Sequence, residues 1–127
     1  MKRFSINATD APAAAGGYTQ AVELRHAQRV LYISGQIPVD LKGNVPADFA
    51  AQCRLVWANV AAQLRAAGMT LDDIVKVTTF LSDRRYAAEN SMIRREVLGA
   101  RAPALTVLIT GIYDESWLLE IEAIAAQ

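Results

Sequence analysis

The sequence predicts an α+β domain, in which a mixed sheet with the order β-β-β-α-β-α-β-β carries two helices on one face. Three segments predict this class. Residues 118–125 alternate in character as a strand does, residues 74–81 form a β-branched apolar run, and residues 46–67 repeat apolar side chains every three or four positions. The chain has 127 residues, the size of one ordinary domain, so we assign residues 1–127 to a single unit.

The first half of the chain contains three short strand candidates. Residues 2–6 alternate mildly, and residues 21–25 and 29–34 form two further candidates. The short polar link at residues 26–28 favours a hairpin between the second and third strands. Residues 7–17 hold a proline, an alanine run and two adjacent glycines, and therefore predict a loop.

The second half of the chain alternates strands with helices. A helix over residues 46–67 is followed by the strand over residues 74–81, which is nearly all apolar and should be covered on both faces. A second helix over residues 84–98 and strands over residues 104–110 and 118–125 complete the order. Both helices lie on strand–helix–strand connections, which place them on the same face of the sheet.

The composition argues against several classes of function. The formal net charge is zero, so the basic face of a nucleic-acid-binding protein is not expected. His26 is the only histidine, so one chain cannot form a histidine-based triad or a multi-histidine metal site, and no cofactor is implied. No apolar run has transmembrane length, so we expect a cytoplasmic protein that does not bind membranes.

The high apolar content predicts self-association. Hydrophobic residues make up 53% of the chain, and one domain with two helices leaves the second face of its sheet without cover. Further copies of the chain are the simplest cover. Cys53, the only cysteine, cannot form an intramolecular disulfide; its place in the first helix indicates a core residue rather than a nucleophile.

Two glutamates in the last strand are the first candidates for a functional site. Glu120 and Glu122 fall on the same side of a segment that is otherwise apolar. Burying a carboxylate costs several kcal/mol, roughly, unless it is paired or solvated. Either both glutamates simply face water, or one of them lines a wet cleft and handles a proton.

Three further positions could contribute to a site. Tyr18 follows the paired glycines and either packs on the surface or projects its hydroxyl into a site. Gly35 follows Ser34 at a strand end, where a glycine either forms a bulge or lets a backbone amide approach a ligand. Asn90 lies inside the second helix, where asparagine is unfavourable unless its amide has something to bond.

Several segments together resemble the Rid family of small imine deaminases, also labelled L-PSP proteins, over nearly the whole chain. The matching segments are Ala11-Pro12, Gly17-Tyr18-Thr19-Gln20-Ala21, Ile33-Ser34-Gly35-Gln36-Ile37-Pro38, Leu71-Asp72-Asp73-Ile74-Val75-Lys76, Asn90, Arg101-Ala102-Pro103-Ala104 and Glu120-Ile121-Glu122-Ala123-Ile124-Ala125. The resemblance implies a chorismate-mutase-like fold and a homotrimer. Three sheets would form a central barrel, with a small-molecule cleft between each pair of subunits.

The resemblance also assigns roles in that cleft. It implies that Glu120 is the catalytic group and that Tyr18, Ser34, Gly35 and Asn90 bind the substrate. The chain departs from the pattern at Leu105, where deaminating members have an arginine that clamps the substrate carboxylate. A charge-assisted hydrogen bond contributes roughly 1.5–3 kcal/mol. We therefore expect a substrate that is neutral or cationic, or that carries its carboxylate elsewhere.

Another arginine could supply the missing charge. Arg101 lies four residues before Leu105, about 13 Å along an extended chain, which is too far within one subunit. Arg94 or Arg95, on another element, stays open as an alternative.

Three functions are therefore open. The first is hydrolytic deamination of a small imine, enamine or related C–N compound. The second is a trimer that binds a small metabolite without chemistry, and the loss of the arginine favours it. The third, an RNA-directed endoribonuclease or translation inhibitor, comes only from family labels and is disfavoured by the zero net charge.

Overall fold

Six strands and two helices form the fold, which a computed structural model describes over residues 1–127. The strands are β1 (Lys2–Ile6), β2 (Ala21–Arg25), β3 (Val30–Gln36), β4 (Ile74–Leu81), β5 (Ala104–Ile109) and β6 (Leu119–Ala126). The helices are α1 (Phe49–Ala66) and α2 (Ala87–Leu98), and single 3-10 turns precede β4 and α2. The predicted order β-β-β-α-β-α-β-β is confirmed.

The main sheet has four strands in the order β3-β6-β4-β5. Strand β6 runs antiparallel to both of its neighbours, and β5 runs parallel to β4, so the predicted mixed sheet is confirmed. Strand β6, which carries both glutamates, therefore lies inside the sheet and not at an edge. Strands β1 and β2 form a separate antiparallel pair.

The hairpin predicted between β2 and β3 is not formed. His26 in the link has a positive φ of 60°, and β2 turns away to pair with β1. The start of β3 is bound instead to the end of β6, because the N–H groups of Gln28 and Arg29 donate to the Gln127 carbonyl at 2.9 and 3.0 Å. Strand β3 therefore pairs with β6, from the far end of the chain, and not with its neighbour in sequence, β2.

Both helices cover the same face of the main sheet. Trp57 and Leu64 of α1 and Ile93 of α2 are buried in one core with Val77 of β4 and Ile121 of β6. The expectation that β4 is covered on both faces is met on one face only. Its buried residues alternate with half-buried ones, because this chain supplies no helix for the second face.

The start of β6 is fixed by the buried side chain of Gln52 in α1. Its amide nitrogen donates to the carbonyls of Pro46 and Ser116 at 2.9 and 3.0 Å, and its oxygen accepts from the Leu118 N–H at 2.8 Å. These bonds hold the strand two residues before Glu120. No helix is both long and apolar enough to cross a lipid bilayer.

Candidate functional site

Glu120 lies on the sheet face that the helices leave open. It pairs in register with Phe80 of β4, and both line a cavity of about 280 Å³ together with the segment after β5, residues 110–113. No hydrogen bond or ion pair within the chain engages the half-buried carboxylate. Burial, with a further contribution from the charge of Glu122, raises the pKa of Glu120 above its ordinary value. A free carboxylate in this setting can accept a proton.

Gly35 lies directly against the Glu120 carboxylate. The pairing of β3 with β6 is irregular between Ile33 and Gln36, so the bulge considered from the sequence is present. A Cβ atom added at Gly35 would lie 2.7 Å from Cδ and 3.0 Å from Cγ of Glu120, closer than side-chain packing allows. The glycine therefore leaves the space that the carboxylate occupies.

Ser34 lines a different cavity from Glu120. This second cavity, of about 420 Å³, is also lined by Tyr32, Lys76, Thr78 and Glu122. Glu122 itself is exposed, so of the two glutamates only Glu120 is in a sheltered position. Although Ser34 is next to Gly35 in the sequence, it does not line the Glu120 cavity within one chain.

Leu105 lies at the start of β5, and the loop that carries Tyr18 runs beside it. The Thr19 N–H donates to the Pro103 carbonyl at 3.1 Å, which holds the loop that carries Tyr18 against this strand. The half-buried Tyr18 hydroxyl accepts from the Ala15 N–H at 3.2 Å. Leu105 pairs in register with the buried Val77 and packs against the core. Leu105 is therefore on the helix-covered face of the sheet.

Asn90 is buried on α2, which covers that same face. Only 2% of its surface is exposed, and its side-chain oxygen has no hydrogen-bond partner. The predicted site residues thus form two groups on opposite faces of the sheet. Gly35 and Glu120 are together on the open face, whereas Asn90 and Leu105 are on the helix-covered side. One chain does not bring the two groups together.

Two features were missed or left open by the sequence. No sequence signal singled out the segment after β5, which lines the Glu120 cavity through Tyr113. Arg94 is buried on α2, one helical turn after Asn90, and this four-residue spacing was a signal available in the sequence. Cys53 is fully buried, and burial raises its pKa to about 12, as expected for a core thiol. No three acidic, histidine or cysteine side chains are placed to hold a metal ion.

The chain is similar to proteins of one family over its whole length. A family model described as Endoribonuclease L-PSP matches residues 8–127. A 2-iminobutanoate/2-iminopropanoate deaminase of Escherichia coli is 39% identical over 127 residues, which cover 97% of each chain.

Two solved structures are similar to the whole chain. A Rid family protein of unknown function from Yersinia pestis superposes with a TM-score of 0.84 at 30% identity and covers 100% of both chains. The E. coli protein TdcF with bound serine superposes with a TM-score of 0.70 at 35% identity and covers 98% of both. The fold class expected from the sequence is therefore that of solved structures at 30% identity or more.

Proposed function

Because this chain belongs to the Rid family of endoribonuclease L-PSP proteins, we propose that it hydrolyses small imines or enamines in clefts between copies of the chain. The observation that carries the proposal is the Glu120 carboxylate. It lines a cavity, has no partner in the chain, and faces a glycine that leaves room for it. The name of the E. coli relative, a deaminase of two 2-imino acids, supports the same class of reaction.

The proposed reaction needs one base and one water. Glu120 takes a proton from the water as its oxygen attacks the carbon of the C=N bond, and the nitrogen takes up a proton. The nitrogen takes this first proton from solvent. The protonated Glu120 then gives its proton to the same nitrogen, the C–N bond breaks as the hydroxyl proton returns to solvent, and the products are ammonia and a carbonyl compound. The raised pKa makes Glu120 a stronger base than an ordinary glutamate.

The cleft would be completed by a second copy of the chain. Tyr18 and Asn90 of the neighbouring copy would hold the nitrogen-bearing end of the substrate, with Ser34 and Gly35 on the side of Glu120. The exposed apolar residues Val107, Leu108 and Ile109 on the edge strand β5 support self-association, because an unpaired apolar edge is normally covered. We propose a homotrimer, the assembly that the family resemblance implies.

The substrate would not be anchored at position 105. Leu105 packs against the core and provides no charge for a carboxylate. The proposed substrate is therefore neutral or cationic, or holds its carboxylate at another residue. The serine bound to TdcF supports a small ligand of amino-acid size, and no cofactor enters the proposed reaction.

The test is to replace Glu120 and to measure ammonia release. Imines would be generated in place by an amino-acid oxidase, and a panel of small enamines would be added in parallel. We expect Glu120→Gln to lower kcat by roughly 10²- to 10⁴-fold, the usual contribution of a positioned base. Glu115→Gln, an exposed glutamate of the loop before β6, is the matched control and should keep the wild-type rate. Wild-type turnover in Glu120→Gln would refute the role of this carboxylate.

A trimer that binds a metabolite without chemistry is the second candidate, and Leu105 is the observation that favours it. In that case no compound of the panel would release ammonia. Some would still raise the melting temperature, because a ligand that binds only the folded state stabilises it. Stabilisation without turnover would replace the enzymatic proposal with this one.

A further inference from the structure

Arg94 is a buried cation without an anionic partner. Only 6% of its surface is exposed, and its Nε has no hydrogen-bond partner. Its one hydrogen bond is a long one, 3.4 Å from Nη2 to the hydroxyl of Ser91. A guanidinium has five N–H donors, and burying it without a partner is costly. An arginine that served only the fold would normally have a carboxylate or carbonyls around it.

The surroundings of Arg94 add positive charge. The side chains of Arg94 and Arg95 both approach the loop that contains Gly17. A Cβ added at Gly17 would lie 3.4 Å from Arg95 Nε and 3.7 Å from Arg94 Nη2. The acidic residue that follows in α2, Glu96, is paired with Arg54 of α1 at 3.1 Å. Burial first, and then the charge of Arg95, lowers the pKa of Arg94. The region therefore favours an added negative charge.

Asn90 lies one helical turn before Arg94 on the same buried side of α2. Residues four apart are neighbours on a helix surface, and their Cα atoms are about 6 Å apart along the axis. The Asn90 side-chain oxygen is buried and unpaired, so it can accept a hydrogen bond from an N–H group. A buried donor group and a buried acceptor, both unsatisfied, thus lie side by side.

We propose that Arg94 and Asn90 form a subsite for a ligand that carries a carboxylate and a nearby N–H group. The Arg94 guanidinium binds the carboxylate, and the Asn90 oxygen accepts the N–H. The subsite rests on the proposed function for its place in the cleft, beside the loop that carries Tyr18. It names the substrate class as imino or enamine acids whose carboxylate is held on α2.

The test is a binding titration of the full-length protein with 2-aminobutanoate and with its amide, 2-aminobutanamide. The pair differs at the carboxylate and keeps the N–H. We expect Arg94→Gln to weaken binding of the acid by roughly 10- to 100-fold and binding of the amide much less. Asn90→Leu should weaken binding of both compounds. Arg65→Gln, which removes an exposed arginine near the end of α1, is the control and should bind both as the wild type does.

The melting temperature of the ligand-free variants separates binding from a structural role. A buried charge without its ligand destabilises the folded state. Arg94→Met removes that charge and should therefore melt at or above the wild-type temperature. A lower melting temperature for Arg94→Met, or equal binding of the acid by Arg94→Gln and the wild type, would overturn the subsite.

The titration is independent of turnover. If the wild type releases no ammonia but binds 2-aminobutanoate, and Arg94→Gln does not bind it, the proposed function fails and the subsite stands. If the wild type turns over and Arg94→Gln does so equally with carboxylate substrates, the subsite fails alone.

Discussion

At the scale of single residues, Gly35 determines where the Glu120 carboxylate can lie. Gly35→Ala places a Cβ within 2.7 Å of the Glu120 Cδ, so the carboxylate must move. A displacement of about 1 Å in a catalytic group can cost roughly 100-fold in rate. We expect kcat for ammonia release to fall by about that factor, with little change in melting temperature.

Gly43→Ala is the matched control for that substitution. Gly43 has a φ of +84° in an exposed turn, and an added Cβ there meets no atom within 4 Å. This variant should lose some stability through backbone strain and keep the wild-type kcat. A Gly35→Ala enzyme that is as active as Gly43→Ala would show that the position of the carboxylate is not set by the glycine.

The charge of Glu122 should appear in the pH dependence of the reaction. Burial first, and then Glu122, raises the pKa of Glu120 above its ordinary value of 4.5. A general base must be ionised, so kcat/KM should rise with pH, with a midpoint above 4.5. Glu122→Gln removes the repulsion and should move this midpoint to lower pH, whereas Glu115→Gln should not. An unchanged midpoint in Glu122→Gln would exclude coupling between the two carboxyl groups.

At the scale of secondary structure, elements with strong local patterns were predictable. Strand β4 was expected over residues 74–81 and is observed at Ile74–Leu81. Helix α1 was expected from residue 46 but begins at Phe49, because the Asp48 side chain accepts from the Ala51 N–H at 2.8 Å and caps the helix there. This capping residue is visible in the sequence, two positions after residue 46, where the helix was expected to begin.

The pairing between strands that are distant in the sequence could not be predicted. The β2–β3 hairpin was predicted from a local signal, and it failed because β3 has a long partner in β6. The face on which Leu105 lies depends on the register of β5 against β4, which pairs it with Val77. Shifting that register by one residue would move Leu105 to the open face.

For the candidate site too, single residues could be predicted from the sequence, whereas contacts between distant residues could not. The sequence and its family resemblance singled out Glu120, Gly35, Asn90 and Leu105, and the structure places each of them in a sheltered or tightly packed position. The proximity of Gly35 to Glu120 depends on the β3–β6 pairing and could not be predicted. The four-residue spacing from Asn90 was the one signal for the burial of Arg94, and it runs against the usual exposure of an Arg-Arg pair on a helix.

At the scale of the whole molecule, we propose that one chain holds two incomplete halves of a site. The half around Glu120 opens on the uncovered sheet face, and the half around Asn90 lies on the helix-covered side. The edge strand β5, with its exposed apolar residues, lies beside β4 at the border of the sheet. An assembly in which each cleft takes one half from each of two copies would cover the open face and complete the site together.

This sharing predicts complementation between two inactive variants. Glu120→Gln and Asn90→Leu chains, each of low activity alone, would be co-expressed with different tags and purified as mixed trimers. In a mixed trimer of either composition, one of the three clefts receives an intact residue from each copy, so about a third of the wild-type rate should return. Mixing Glu120→Gln with a chain that carries both substitutions is the control and should restore nothing. Sedimentation of the wild type as a stable monomer, or mixed trimers without recovered activity, would contradict a site built from two copies.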